Sequence, residues 1–330
     1  MSDQTPNKEL LDPTRKPSFA GVARAAEKIA RILPKTPLLP LEIDGKIIWC
    51  KAECLQPVGA FKIRGGWHRL SDLSADERKK GVVAFSSGNH AQGVAWAAKR
   101  LDIAATIIMP GDAPRAKMRN TEALGAKIVT YERMSGAREQ LAADIAAETG
   151  ATVVPSFDDP WVVEGQGSCG IEIRDQMIAQ TGAPPGQLVI CCGGGGLAAG
   201  SALANPEAEI IVVEPEGWDD MRRSLECGYI VPVVDNPPAT NCDALQTMKV
   251  APITYDILKE RKTRGVSVTE TEVHHAVKIA FEKLHIVAEP GGAVALAAIL
   301  AGKIAPTANT ALTISGGNID SALFAEIITA

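Results

Sequence analysis

Aromatic residues make up only 4% of the 330 positions, and the chain contains no long basic run. Aliphatic side chains must therefore supply most of the packing in the interior. The 34 basic and 39 acidic residues give a net charge of −5, without the clustered lysine and arginine that nucleic acid or a membrane surface would require. No apolar run approaches the roughly 20 residues of a transmembrane helix. We therefore expect no nucleic-acid partner and no membrane partner.

A zinc-ligand spacing is also missing from the seven cysteines, and their number is odd. Several of them lie in apolar runs of strand type, so we expect reduced and mostly buried thiols. The first residues lack the basic and apolar segments of a signal peptide. Together these features predict a cytoplasmic protein.

Short apolar runs of strand type alternate with helical segments from residue 82 to residue 154, and again from residue 188 to residue 314. This rhythm is typical of parallel sheets with helices on both faces. We expect an α/β protein of two lobes, with a boundary near residue 155.

The segment from Gly59 to Gly66 holds Lys62 between Phe61 and Ile63. A lysine held against apolar groups is desolvated, which lowers its pKa and makes its amine a usable nucleophile or base. This setting suits a lysine that forms a Schiff base. We expect a turn here, followed by a helix from about residue 66. A surface lysine beside a loop is the alternative.

Two further segments join a predicted strand to a predicted helix and indicate anion binding. Residues 86–90 read Ser-Ser-Gly-Asn-His, where free backbone N–H groups suit a carboxylate, although an ordinary helix N-cap would use the same residues. Residues 193–196 are four glycines, which suit a phosphate. With Ala198 and Glu214 they also match a dinucleotide-binding pattern, so an NAD-dependent oxidoreductase is an alternative of another class.

Two polar turns follow later strands. Residues 214–220 carry four carboxylates, which suit Mg²⁺ or Ca²⁺ or simply form a solvated acidic turn. Ser315 begins a Ser-Gly-Gly-Asn segment at the carboxyl end of the last clear strand, where α/β proteins place ligands. Its neutral hydroxyl suits a heterocyclic nitrogen, with a plain turn as the alternative.

In this order and separation, these motifs resemble the fold-type II pyridoxal-phosphate enzymes, specifically the threonine/serine dehydratase and serine racemase family. The resemblance runs from about Lys35 to Asp320. It implies a tryptophan synthase β-like fold with three-layer αβα lobes. Residues 1–78 and 156–330 would form a large cofactor-binding domain, and residues 79–155 a small domain. It also implies pyridoxal 5'-phosphate as cofactor, with Mg²⁺ or Ca²⁺ as a further ligand.

The resemblance assigns Lys62 as the residue that carries the cofactor covalently and removes the Cα proton. Ser87 matches the serine that protonates the opposite face in racemases. The other implied contacts are Phe61 beside the cofactor ring, Asn89 at its phenolic oxygen, Gly193, Gly194, Gly195 and Gly196 around its phosphate, Ser315 at its pyridine nitrogen, Ser87, Gly88, Asn89, His90 and Arg138 at the substrate, and Glu214, Asp220 and the carbonyl of Trp218 at a cation.

The implied reaction is β-elimination from a small hydroxy amino acid such as L-threonine or L-serine, giving a 2-oxo acid and ammonia. Serine racemisation and 3-hydroxyaspartate dehydration are alternatives within the family, and we expect a homodimer or homotetramer. The chain departs from the family pattern at three places: Ala60 stands where Ser or Thr is common, Glu164 where Ala is usual, and residues 241–244 read Asn-Cys-Asp-Ala where Ala-Asp-Gly is more usual. We expect the last two changes to bear on the choice of substrate.

Overall fold

The chain folds into two β-sheets flanked by helices, in a computed structural model that describes residues 12–86, 88–113, 115–132 and 138–330. The strands are β1 (Leu38–Ile43), β2 (Lys46–Ala52), β3 (Val82–Phe85), β4 (Ala105–Pro110), β5 (Lys127–Tyr131), β6 (Thr152–Val153), β7 (Gln187–Cys191), β8 (Glu209–Pro215), β9 (Arg264–Val268) and β10 (Thr310–Ile314). The helices are α1 (Phe19–Ile29), α2 (Lys62–Ser71), α3 (Ala75–Lys80), α4 (Asn89–Leu101), α5 (Arg115–Ala123), α6 (Arg138–Thr149), α7 (Pro160–Thr181), α8 (Gly196–Ala204), α9 (Asp220–Cys227), α10 (Pro252–Glu260), α11 (Glu270–Leu284), α12 (Pro290–Leu300) and α13 (Ser321–Thr329).

The larger sheet has the strand order β1-β2-β10-β7-β8-β9. Its first two strands form an antiparallel hairpin that turns at Asp44-Gly45, and both turn residues have positive φ, as a tight hairpin turn requires. The remaining strands are parallel, and every residue of β7 and β10 is buried. Continuous burial is expected of central strands covered by helices on both faces.

The smaller sheet has the order β5-β4-β3-β6 and is parallel throughout. Both sheets therefore confirm the predicted α/β class and its parallel strands. All seven cysteines are free and six are buried, as expected, while Cys227 is exposed. None of the helices in the described ranges combines the length and apolar character needed to cross a membrane.

Helix α2 begins at Lys62, whereas the sequence predicted a turn there and a helix start near residue 66. The prediction was wrong because Gly65 and Gly66 serve close helix packing. A Cβ on Gly66 would lie 2.9 Å from the carbonyl oxygen of Gly93 in α4, and one on Gly165 in α7 would lie 2.6 Å from the Cα of Gly65. Three helices thus meet backbone to backbone, which fixes the position of Lys62.

Candidate active site

A cavity of about 730 Å³ lies beside the N-termini of α2 and α4. Five of the predicted site residues line it, namely Lys62, Gly88, Asn89, His90 and Arg138. A smaller pocket of about 60 Å³ is lined by Phe61, Lys62, Asn89, Gly193–Gly196 and Ser315. The structure therefore brings together the lysine, the glycine loop and the serine that the sequence singled out. Ser87 lies outside the described residues.

Lys62 is partly buried, and its Nζ donates a hydrogen bond of 2.9 Å to the carbonyl oxygen of Ser156. The same atom lies 5.2 Å from the centre of the Phe61 ring. In the described parts of the chain, no carboxylate lies within ion-pair distance of this amine. Burial therefore lowers the pKa of Lys62 to about 8. A larger fraction of this amine is consequently neutral near physiological pH than for an ordinary lysine, although the protonated form still predominates.

Backbone pairing holds the lysine segment against the serine segment. Ala60 and Gly316 form an isolated antiparallel bridge, and the N–H of Phe61 donates to the carbonyl of Ser315 at 3.1 Å. Ala60 is fully buried at this bridge. Ser315 directly follows β10, and its hydroxyl lies within hydrogen-bond reach of the Cys191 thiol. Two motifs that are distant in sequence thereby share one wall of the pocket.

The four glycines follow β7 and end at the first residue of α8. Gly195 has a φ of +86°, and a Cβ on Gly194 would overlap the ring of Phe157. The Thr254 hydroxyl donates to the carbonyl of Gly194 at 2.8 Å and helps to hold the loop. A glycine cradle at a helix N-terminus binds phosphate well. Together with the amine of Lys62 and the neutral Ser315 hydroxyl in the same pocket, this donor set fits pyridoxal 5'-phosphate.

Asn89 and His90 begin α4, and both face the cavity. The Asn89 amide donates to Glu289 at 2.6 Å and accepts from Asn318 at 2.7 Å. His90 Nε2 lies 2.8 Å from the carbonyl oxygen of Val154. Burial, with Lys62 nearby, lowers the pKa of His90 to about 3, so its ring is neutral. A neutral ring suits hydrogen bonding rather than ion pairing with a substrate.

Glu289 is a site residue that sequence reasoning missed. It is the N-cap residue of α12, is 2% exposed, and lines the larger cavity. Burial, reinforced by the negative charge of Asp243, raises the pKa of Glu289 to about 8. Its Glu-Pro-Gly-Gly context looks like an ordinary helix start, because proline is favoured at the first helical position. Glu289 and Asn89 are far apart in sequence, and only the tertiary structure brings their side chains into contact.

Two cationic side chains stand on the cavity wall away from the glycine loop. Arg138 begins α6, is 40% exposed, and its Nε donates to Glu139 at 2.8 Å. Lys117 of α5 forms an ion pair with Asp243. Asp243 belongs to the segment in which this chain departs from the family pattern. The structure therefore places Arg138 at the cavity, where the sequence predicted a substrate contact.

The acidic turn lies apart from both cavities. Glu214 is buried and accepts hydrogen bonds from the N–H groups of Met221 and Arg222 at 3.0 and 2.7 Å. Asp220 accepts from the N–H of Val250 at 2.8 Å with one oxygen, while its buried Oδ1 has no partner in the structure. Trp218 lies between them in sequence, and its indole donates to Pro238.

Metal coordination by side chains alone is not supported at this turn. Within the described ranges, no group of three or more His, Cys, Asp or Glu side chains is arranged to hold an ion. A cation between Glu214 and Asp220 would need a backbone carbonyl such as that of Trp218. The unpartnered Oδ1 of Asp220 fits such a ligand.

Glu164, a departure from the family pattern, does not reach the cavity. It is buried in α7, where it forms an ion pair with Arg15 and accepts a hydrogen bond of 3.1 Å from the N–H of Ser18. Burial raises the pKa of Glu164 to about 7 despite the nearby Arg15. This residue ties the segment before α1 to the body of the protein, so its substitution for alanine is not a change at the substrate.

Comparison with known proteins gives one consistent result. Residues 29–316 match a family model described as pyridoxal-phosphate dependent enzyme. A serine racemase from Schizosaccharomyces pombe is 37% identical over 322 residues, which cover 95% of this chain and 98% of that protein. An L-threo-3-hydroxyaspartate ammonia-lyase from Saccharomyces cerevisiae is also 37% identical, with 95% of this chain and 97% of that protein covered.

The solved structures agree with the sequence comparison. A crystal structure of threonine deaminase from T.th. matches with a TM-score of 0.85 and 39% identity, covering 92% of this chain and 99% of that one. The similarity therefore extends over both sheets and includes the segments that line the cavity.

Proposed function

The chain belongs to the family of pyridoxal-phosphate dependent enzymes, and we propose that it is a lyase that removes water from a small β-hydroxy amino acid such as L-threonine or L-serine, giving a 2-oxo acid and ammonia. One observation carries this proposal. Lys62 is a desolvated amine with a lowered pKa, and it lines the same pocket as the glycine cradle.

The residues divide the work by their chemistry. Pyridoxal 5'-phosphate, when bound, supplies an electron sink for negative charge at Cα. Lys62 anchors the cofactor and takes the proton from Cα of the substrate. The residues that would hold the cofactor are the four glycines at its phosphate, Phe61 beside its ring and the Ser315 hydroxyl at its nitrogen, which all line one pocket. The β-hydroxyl leaves with its bonding electrons and gains a proton to form water, and hydrolysis of the enamine product releases ammonia.

Substrate orientation falls to the start of α4. The backbone at Gly88, Asn89 and His90 lies at a helix N-terminus, where the helix dipole and free N–H groups favour a carboxylate. Ser87 stays a prediction for the substrate contact and for the acid on the opposite face, which a racemase would use.

A second candidate substrate is 3-hydroxyaspartate, and the cations on the cavity wall favour it. Arg138 and Lys117 both line the cavity and suit a second carboxylate. Replacing Arg138 with leucine should raise KM for 3-hydroxyaspartate far more than KM for threonine. Equal effects on both substrates would remove this candidate.

The decisive test begins with colour. The purified protein should absorb visible light, and borohydride should fix the cofactor to Lys62. A screen of L-threonine, L-serine and L-threo-3-hydroxyaspartate for 2-oxo acid release, with chiral analysis of the residual amino acid, then separates elimination from racemisation. A colourless protein after reconstitution, or labelling that persists in Lys62→Ala, would overturn the proposal.

We also propose that Glu214, Asp220 and the carbonyl of Trp218 hold Mg²⁺ or Ca²⁺. The buried Oδ1 of Asp220, which lacks a hydrogen bond, supports this site. Excess EDTA should lower the melting temperature of the wild type and leave that of Asp220→Asn unchanged. A melting temperature that EDTA does not alter counts against the site.

For the whole molecule, we propose that residues 1–78 and 156–330 form the cofactor-binding domain and residues 79–155 the small domain. The smaller sheet supports this division, because its strands all come from residues 82–153. We further propose a cytoplasmic homodimer or homotetramer with a small-molecule substrate and no nucleic-acid or membrane partner. Light scattering after gel filtration would give the assembly state directly.

A further inference from the structure

A buried acid stands directly behind one of the predicted cofactor contacts. Glu289 Oε1 accepts a hydrogen bond of 2.6 Å from Asn89 Nδ2. On the other side, Asn89 Oδ1 accepts from Asn318 Nδ2 at 2.7 Å, and Asn318 also donates to the carbonyl of Val58 at 2.9 Å. The Asn89 amide is therefore held at both ends.

These partners permit only one orientation of the amide. If it were rotated by a half turn, its oxygen would face Glu289 and its nitrogen would face the donating nitrogen of Asn318. Two donors would then oppose each other, and a buried donor without an acceptor costs about 1–3 kcal/mol. In the observed orientation, one N–H of Asn89 reaches Glu289. The second N–H is left for the pocket that Asn89 also lines.

We propose that Glu289 is a positioning residue that fixes Asn89 as a hydrogen-bond donor toward the phenolic oxygen of the cofactor. The inference rests on the proposed function, because it requires pyridoxal 5'-phosphate in the pocket. It adds a residue that neither the sequence motifs nor the comparisons assign.

The backbone around Glu289 keeps its carboxyl group in place. The Glu289 N–H donates to the carbonyl of Gly316 at 3.0 Å, and Pro290 follows it at the first position of α12. A Cβ on Gly316 would overlap Oε1 of Glu289. The carboxyl group therefore packs against the same Ser-Gly-Gly turn that follows β10, and it has little room to turn away from Asn89.

Charge around Glu289 agrees with this role. Asp243 from the segment before α10 and Lys117 from α5 act on it with opposite signs, and Asn89 from α4 donates to it. Burial favours the neutral acid, and a neutral carboxyl still offers its carbonyl oxygen to Asn89. A glutamine at position 289 should therefore replace the acid in this role, whereas a leucine should not.

A double-mutant cycle on the reconstituted holoenzyme tests the inference. Glu289→Leu and Asn89→Leu should each weaken pyridoxal 5'-phosphate binding by about tenfold, the effect of one lost hydrogen bond, and should shift the visible absorption band. The double variant should be no worse than Asn89→Leu alone, since Glu289 acts through Asn89. Glu289→Gln should retain the wild-type band and affinity. Fully additive effects in the double variant, or an unchanged band in Glu289→Leu, would overturn the inference.

Controls separate this outcome from simpler failures. Thr269→Ala removes the N-cap of α11 and should lower the melting temperature without moving the absorption band. If Glu289→Leu does not fold, Asn318→Ala removes the other partner of Asn89 and should shift the band in the same way; an unshifted band there also counts against the inference. A wild type that binds no pyridoxal 5'-phosphate defeats the proposed function, whereas a wild type that binds it with additive variants defeats only this inference.

Discussion

Helix α2 carries two basic side chains, two residues apart, in opposite electrostatic settings: Arg64 is buried and Lys62 is partly buried. Arg64 donates from Nε to Glu53 at 2.7 Å and from Nη1 to Glu172 at 2.8 Å, and despite burial these carboxylates raise its pKa. Within the described residues, the amine of Lys62 has only the carbonyl of Ser156 as a hydrogen-bond acceptor, and desolvation lowers its pKa to about 8. Residues two apart in a helix project in different directions, so each meets its own surroundings.

This difference separates a charge that stabilises the fold, at Arg64, from an amine suited to chemistry, at Lys62. Around Arg64, burial is compensated by paired charges, and the pKa of Glu53 falls to about 2 despite its burial, because Arg64 and Lys51 lie beside it. Around Lys62, burial is not compensated, so the cation gives up its proton readily. Desolvation therefore accompanies an ionic anchor at one position and a reactive amine at the other, and the charged partners decide between them.

The substitution with the largest expected effect removes the reactive amine of Lys62. Lys62→Ala should lower the rate of 2-oxo acid release by about 10³-fold, because a positioned base contributes about 10²–10⁴-fold. Borohydride should then leave the cofactor unattached. Lys259→Ala, which loses only an exposed lysine, serves as the control and should keep both properties. Retention of more than a tenth of the activity by Lys62→Ala would contradict the role given to this lysine.

The next test removes Arg64, the cation whose burial is compensated by ion pairs. Arg64→Leu should destabilise the fold by about 3–5 kcal/mol, since it leaves Glu53 without its cation in the interior. Urea unfolding followed by circular dichroism measures the change. Glu53→Gln added to Arg64→Leu should recover part of the loss, because Glu172 keeps its contact with Lys51 at 2.6 Å. Arg174→Leu, at a half-exposed pair, should change stability by less than about 1 kcal/mol.

A third test concerns the glycine loop that lines the same pocket as Lys62. Gly194→Ala would drive a methyl group into the Phe157 ring and should weaken pyridoxal 5'-phosphate binding by at least tenfold, measured by absorbance titration. Gly186→Ala is the matched control, since its new Cβ would make an ordinary contact of 3.8 Å with Asn309. Equal cofactor affinity in the two variants would show that the loop tolerates side chains.

The sequence predicted the parallel α/β architecture, the lysine, the glycine loop and the serine, because each of these has a local signal. It failed at Gly65 and Gly66, which look like a turn yet allow α2 to approach α4 and α7. It also failed to predict β9, an edge strand that begins with Arg264-Gly265. Glu289 was missed because its role depends on Asn89, a partner that only tertiary packing supplies.

The smallest expected effect concerns pH: two buried acids should change the stability of the fold in opposite directions as the pH rises. The pKa of Glu53 lies at about 2, below its ordinary 4.5, so its stabilisation is complete above pH 4.5 and is lost as the pH falls toward about 2. The pKa of Glu289 lies at about 8, above 4.5, so its contribution is present below pH 4.5 and is lost as the pH rises toward about 8.

Melting temperatures of the holoenzyme across this pH range would measure both effects. On acidification, the melting temperature of the wild type should fall toward that of Glu53→Gln. Between pH about 5 and about 8, it should fall toward that of Glu289→Gln. Parallel trends in the two comparisons would mean that the two carboxyl groups share one environment after all.

The backbone pairing between Ala60 and Gly316 has a consequence for biosynthesis. The ribosome releases the lysine segment tens of seconds before the serine segment, at about 5–20 residues per second. Until residue 316 emerges, the pocket lacks the wall that Ser315 supplies, so we expect the nascent chain to bind the cofactor poorly. Cofactor capture is therefore a late, post-synthetic event, and a chain truncated before Ser315 should keep its lysine without acquiring a coenzyme.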